Sequence, residues 1–190
     1  MVLFVNACVR EESRTKRLAE YLLDQIGDEV EEICPAQAGF PVADEAFLKR
    51  RDALIAARNF EDPLFDAART FAKADTIVVA APFWDLSFPA ALKQYFEQIN
   101  VLGITFVYTP EGTPKGLCRA KRLYYVTTAG GPIFSEEYGY GYVKALAQGF
   151  YGIEETKIFK AEGLDIVGAN VEGILDVAKR EIERVKKNRP

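Results

Sequence analysis

The sequence predicts an α/β protein, one parallel sheet of five strands in the order 2-1-3-4-5 with helices on both faces. Three observations carry this expectation. Strand and helix patterns alternate from one end of the chain to the other. Residues 77–81 form a continuously apolar run, as expected for a strand covered on both faces. Five strands joined by helical segments also suit the doubly wound arrangement, whose ligands sit at the carboxyl ends of the strands. With no internal repeat, low-complexity tract or linker, residues 1–190 read as a single domain.

Residues 2–6 read as the first strand. Residues 13–26 follow as a helix, with Leu18, Leu22 and Ile26 on one stripe and Ser13 as its cap. A short strand falls at 30–34. Two helical patterns, 43–59 and 64–74, are separated by Glu61-Asp62-Pro63. The apolar strand then ends at Pro82, which cannot donate the next ladder hydrogen bond. Pro89 suits the first turn of a helix that runs to Asn100. Residues 104–108 read as a short extended segment, and 109–116 as a loop, by their Pro and Gly content. A β-branched and aromatic strand at 123–128 is followed by a helix over 135–151, with glycines near its start. Residues 157–161 read as the last strand. Val171, Ile174, Leu175, Ala178, Ile182 and Val185 mark the last helix, and Lys186 to Arg189 a solvated basic end.

Composition narrows the chemistry. The chain contains no histidine, which excludes Ser-His-Asp and Cys-His catalysis and His-liganded zinc or iron. Three widely spaced cysteines, Cys8, Cys34 and Cys118, give no CxxC metal motif and fit a reduced, cytoplasmic chain. A formal net charge of −4 offers no nucleic-acid footprint, and no apolar run is long enough for a transmembrane helix. The start, Met-Val-Leu-Phe-Val-Asn, lacks the basic region of a signal peptide. For an enzyme without histidine, a cofactor is the usual source of the chemistry.

Three loops follow strands one, three and four and converge on one sheet edge. The first carries Arg10, Ser13, Arg14 and Thr15 at a helix N-terminus, a setting suited to a phosphate. The same residues equally suit a plain serine cap with surface arginines. The second, Pro82-Phe83-Trp84-Asp85-Leu86, holds the only tryptophan. Its rings suit either a flat aromatic ligand or ordinary packing. In the third, Thr128-Ala129-Gly130-Gly131, the glycines let backbone N–H groups approach a ligand closely, or simply make a tight turn. No GxGxxG follows the first strand, and Gly139-Tyr-Gly-Tyr-Val-Lys144 has lysine where a third glycine belongs.

Taken together, these segments resemble the FMN-dependent NADH azoreductases and NAD(P)H:quinone oxidoreductases, a flavodoxin-like family. The resemblance spans nearly the whole chain. It is clearest in Ala81-Pro-Phe-Trp-Asp-Leu86, Phe88-Pro-Ala-Ala-Leu-Lys-Gln-Tyr-Phe96, Thr105-Phe-Val-Tyr-Thr109 and Thr128-Ala-Gly-Gly131. It implies a flavodoxin-like three-layer sandwich that binds FMN. Arg10, Ser13, Arg14 and Thr15 would grip the phosphate. Pro82, Phe83, Trp84, Asp85, Leu86, Thr128, Ala129, Gly130 and Gly131 would hold the ring. Phe106, Tyr108, Phe134 and Phe150 would line a substrate pocket. The implied activity is two-electron transfer from NADH or NADPH to a quinone or azo acceptor by ping-pong hydride transfer. Chemistry at flavin N5 would leave no side chain catalytic. The implied assembly is a homodimer, with neither nucleic acid nor membrane as partner. The chain departs from the family where Asp85 replaces a common asparagine, and where Pro132-Ile-Phe134 stands in place of a His or Tyr. The rival reading is an FMN-binding electron carrier of the flavodoxin type, serving protein redox partners.

Overall fold

The computed structural model of the chain describes residues 1–187. Its elements begin with β1 (Val2–Asn6), α1 (Arg14–Ile26), β2 (Val30–Ile33) and α2 (Glu45–Ala56). A 3₁₀ turn (Pro63–Phe65) leads into α3 (Asp66–Lys73), followed by β3 (Thr76–Ala80) and α4 (Ala90–Ile99). β4 (Phe106–Tyr108), β5 (Pro114–Gly116) and β6 (Arg122–Thr128) precede α5 (Tyr142–Leu146), β7 (Glu155–Ala161) and α6 (Val171–Lys187). The side chains of the basic end from Lys186 to Arg189 lie outside the described residues.

The main sheet has five strands in the order β2-β1-β3-β6-β7, with every adjacent pair parallel. This is the expected flavodoxin-like 2-1-3-4-5 order once the separate β4–β5 pair is set aside. Alternate residues of each strand face opposite layers. Leu3, Val5, Ile77, Val79, Leu123 and Tyr125 pack on one side with Phe71, Leu92, Phe96 and Val143 of the helices there. Val2, Phe4, Val78, Tyr124, Val126 and Phe159 pack on the other side against Leu18 and Leu22 of α1 and Leu175 and Ile182 of α6. Leu18 and Leu22 are completely enclosed or nearly so, and each such side chain contributes roughly 1.5–3 kcal/mol by leaving water. A second tie on this side is the two-pronged pairing of Arg17 with Glu172, which joins α1 to α6.

The structure differs from expectation in three places. Residues 114–116, read as loop, pair antiparallel with 106–108 as a hairpin outside the main sheet. Pro114 is tolerated there because it opens the strand. Gly116 is required because a Cβ would overlap the backbone of Tyr151 and Gly152. The helix expected over 135–151 contains only one regular stretch, α5. Residues 137–141 and 147–151 form wider turns on either side, where Gly139, Gly141 and Gly149 weaken the α geometry. Pro89 occupies the cap position of α4, with ψ 140°, rather than its first turn.

Beneath α4, the Tyr95 hydroxyl is fully buried and has no hydrogen-bond partner among the described residues. Such a group costs stability that its aromatic ring does not need. Tyr95→Phe is therefore expected to raise the unfolding free energy by about 1 kcal/mol in urea denaturation of the flavin-free protein. A loss of stability would show that the hydroxyl is satisfied.

Candidate functional site

The parallel register brings the carboxyl ends of β1, β3, β6 and β7 to one edge. Pairing runs on past the strands: the Ala7 N–H donates to Ala80 O, Phe83 N–H to Thr128 O and Ala129 N–H to Ala161 O. The loops that follow border a half-open cleft of about 740 Å³, counting the open space at its mouth. Arg10, Ser13, Arg14 and Thr15 line it from the first loop, and Pro82, Phe83 and Trp84 from the second. Thr128, Ala129 and Gly130 line it from the third. Asp85, Leu86 and Gly131 belong to the same loops without lining the cleft.

The first loop is a row of backbone donors. Asn6 Oδ1 accepts from the Cys8 N–H, and Ser13 caps α1 by accepting from the Lys16 N–H. Among the described residues, the N–H groups from Val9 to Thr15 have no acceptor. The buried Thr15 hydroxyl is 2.7 Å from that of Thr128, fixing the first loop to the third. Arg14 donates to Asp165 at 2.8 Å, whereas no carboxylate among the described residues pairs with Arg10. Cys8 lies just behind this loop. Burial pushes its thiol up to about 11, so at neutral pH it is a packed thiol and not a nucleophile.

The second loop is a two-residue reversal. Trp84 and Ser87 exchange backbone hydrogen bonds at 3.1 and 2.7 Å. Asp85 and Leu86 between them have φ 49° and 68°, the signature of a type I′ turn. Asparagine and aspartate tolerate this region better than other side chains, because their short polar groups bond locally. That makes aspartate compatible with the first turn position. Leu86 has no such compensation. Among the described residues neither the Asp85 nor the Leu86 N–H has an acceptor, so both remain available as donors.

In the third loop, the carbonyls of Ala129, Gly130 and Gly131 accept from the N–H groups of Leu164, Asp165 and Gly163. Their pairing leaves the Gly130 and Gly131 N–H groups without acceptors among the described residues. A Cβ on Gly130 would overlap the Asp165 carboxylate, while one on Gly131 would meet open space. Of the two, only Gly130 is closely approached, by a side chain that a Cβ would displace. Val9, Glu12, Leu164 and Asp165 also line the cleft and were missed from sequence. The signal for the last two was present, since residues 162–165 follow the final strand at the same sheet edge.

The four aromatic residues expected around a substrate stand elsewhere. Phe106 packs edge-on against Tyr108 and Phe150, with ring centroids 5.5 and 5.0 Å apart. Phe106 is buried in that hairpin cluster, Tyr108 is exposed, and Phe134 is 83 % exposed beyond the third loop. None of the four lines the cleft.

Two sets of outcomes are expected. Leu86→Gly should stabilise the protein by about 1 kcal/mol, because relief of a left-handed leucine outweighs the extra freedom of glycine in the unfolded chain. Leu86→Val should destabilise it, and urea midpoints decide both. Iodoacetamide at pH 8 should modify Cys34 ahead of Cys8, of which only about one in a thousand is then thiolate. Raising the pH toward 11 should bring Cys8 into reaction, as mass mapping of the adducts will show.

Comparison with known proteins agrees with this architecture. Residues 1–185 match the family model described as flavodoxin-like fold. The FMN-dependent NADH:quinone oxidoreductase of Clostridium beijerinckii is 34% identical over 196 residues, spanning 98% of each chain. FMN-dependent NADH:quinone oxidoreductase 2 of Clostridium acetobutylicum is 46% identical over 124 residues, a match covering 63% of this chain and 60% of that protein. The crystal structure of azoreductase from Bacillus anthracis str. Sterne superposes with a TM-score of 0.83 at 26% identity, covering 99% of both chains. A full-length relative, the matching family model and the sheet topology all agree: the chain belongs to the flavodoxin-like family of FMN-dependent NADH:quinone oxidoreductases.

Proposed function

We propose that this protein is an FMN-dependent oxidoreductase that carries two electrons from NADH or NADPH to a quinone or azo compound. The observation that carries the reading is the convergence of unpaired donors and aromatic rings in one cleft. The residues present fit FMN. A phosphate needs anion donors, and the first loop offers Arg10, Arg14 and successive unpaired N–H groups at the start of α1. A flat ring needs an apolar wall and edge donors. Phe83 and Trp84 supply the wall, while the free N–H groups of Asp85, Leu86, Gly130 and Gly131 supply donors nearby.

FMN, when bound, would supply the hydride chemistry that no side chain of this histidine-free chain offers. The protein's part is to bind, orient and exclude water. The Thr15–Thr128 contact holds the phosphate-side loop and the ring-side loop at a fixed separation. The type I′ turn presents Trp84, 39 % exposed, at the mouth of the cleft. The buried ring of Phe106 braces the exposed Tyr108, and Phe134 stands exposed beyond the third loop; this reading assigns both to an acceptor site outside the cleft that this chain forms alone. Those exposed rings, with Trp84, Leu86 and Tyr138, are covered by a second copy in a homodimer on this reading. Among the described residues no helix is long and apolar enough to cross a membrane.

The decisive experiment loads purified protein with FMN and adds NADH or NADPH anaerobically, followed by a quinone. Bleaching of the flavin absorbance by the nicotinamide, then its return with the quinone, is the expected result. A protein that binds FMN but bleaches only through a separate reductase would be an electron carrier. A protein that binds no FMN would contradict the proposal outright.

A further inference from the structure

Of the two arginines in the cleft, one is already occupied. Arg10 has no carboxylate partner among the described residues, whereas Arg14 Nη1 donates to Asp165 Oδ1 at 2.8 Å from across the cleft. Asp165 is not a wandering surface acid. Its own N–H donates to Gly130 O at 2.9 Å, and its carboxylate stands where a Cβ on residue 130 would be. The flanking bonds from Gly163 and Leu164 to Gly131 and Ala129 hold its loop against the third loop. Gly130 therefore makes room for an acid as well as for a ligand.

A carboxylate and a phosphate are alike to a guanidinium: both accept through anionic oxygens, and both are taken by the same planar fork of N–H donors. Two anions on one guanidinium also repel each other. We infer that Asp165 is a resident competitor for the phosphate, holding Arg14 in the flavin-free cleft and yielding it when a phosphorylated ligand binds. This rests on the flavin reading above and adds to it a residue that sets how strongly the phosphate counts. The competition acts on the phosphate alone, so it lowers affinity for FMN and leaves riboflavin, which has the same ring and ribityl chain, unaffected. It also implies that Arg10 and Arg14 are unequal: Arg10 meets the phosphate without giving up a partner.

The test is a fluorescence titration of flavin-free protein with FMN and with riboflavin, comparing wild type, Asp165→Asn, Arg14→Ala and the double variant. Asp165→Asn keeps the side-chain shape beside Gly130 and removes the charge. It is expected to tighten FMN binding about three- to fivefold, the scale of a partly exposed ion pair, with riboflavin unchanged. Arg14→Ala is expected to weaken FMN and to abolish the effect of the asparagine. Riboflavin affinity doubles as the check that each variant is folded, and Asp165→Ser should repeat the result. Weaker FMN binding in Asp165→Asn would overturn the inference, since the acid would then be positioning Arg14 for the ligand. Equal changes for FMN and riboflavin would overturn it too. If wild type bound neither flavin, the functional reading itself would fall.

Discussion

The parallel pairing of β1, β3, β6 and β7 is the constraint on which the rest depends. Because neighbouring strands run the same way, each must be followed by a return segment, and every ligand-side loop opens at the same edge. The register carries this further. Phe83 and Ala129 still donate to neighbouring loops after their strands have ended, so the loops are extensions of the sheet rather than free connections. A cleft built on such extensions is placed by the two hydrophobic layers beneath it. Its geometry is therefore as firm as the packing of Leu18, Phe71, Leu92 and Phe159.

Much of this architecture is legible in the sequence alone. The apolar run of β3, the Leu18-Leu22-Ile26 stripe and Ser13 as a cap are local signals, and each carries its own physical cause. Three of the four loops around the cleft could be found because they follow strands that are easy to recognise. The fourth, containing Asp165, obeys the same rule, but Glu162-Gly-Leu-Asp165 has no distinctive chemistry until it lies beside Gly130. The β4–β5 hairpin was half hidden because Pro114 and Gly116 are loop residues by propensity. What makes them a strand is tertiary: the pairing with Phe106–Tyr108 and the absence of room for any side chain at residue 116. The wide turns around α5 were invisible for a different reason, since stretches of five residues are too short for their pattern to tell a wide turn from an α turn.

The cleft also shows where local preference gives way to position. Leucine is a poor choice at φ 68°, yet Leu86 sits there because the Trp84–Ser87 pairing forces a two-residue reversal. The consequence is that Trp84 is set beside the cleft and two backbone donors are left unpaired. In the third loop the division is cleaner. Carbonyl groups of Ala129, Gly130 and Gly131 are spent on the 163–165 loop, and the N–H groups of the two glycines remain. Gly130 and the first turn of α1 thus line one space, with the free donors of Asp85, Leu86 and Gly131 in the adjoining loops, and two acids, Glu12 and Asp165, line it as well.

An amide-resolved NMR titration of the flavin-free protein with FMN tests the central claim most directly. Perturbations confined to the N–H groups of residues 9–15, 83–86 and 129–131, with those of 9–15 much smaller for riboflavin, are the predicted result. Perturbations centred elsewhere, such as on the opposite sheet edge or around Tyr95, would contradict the account.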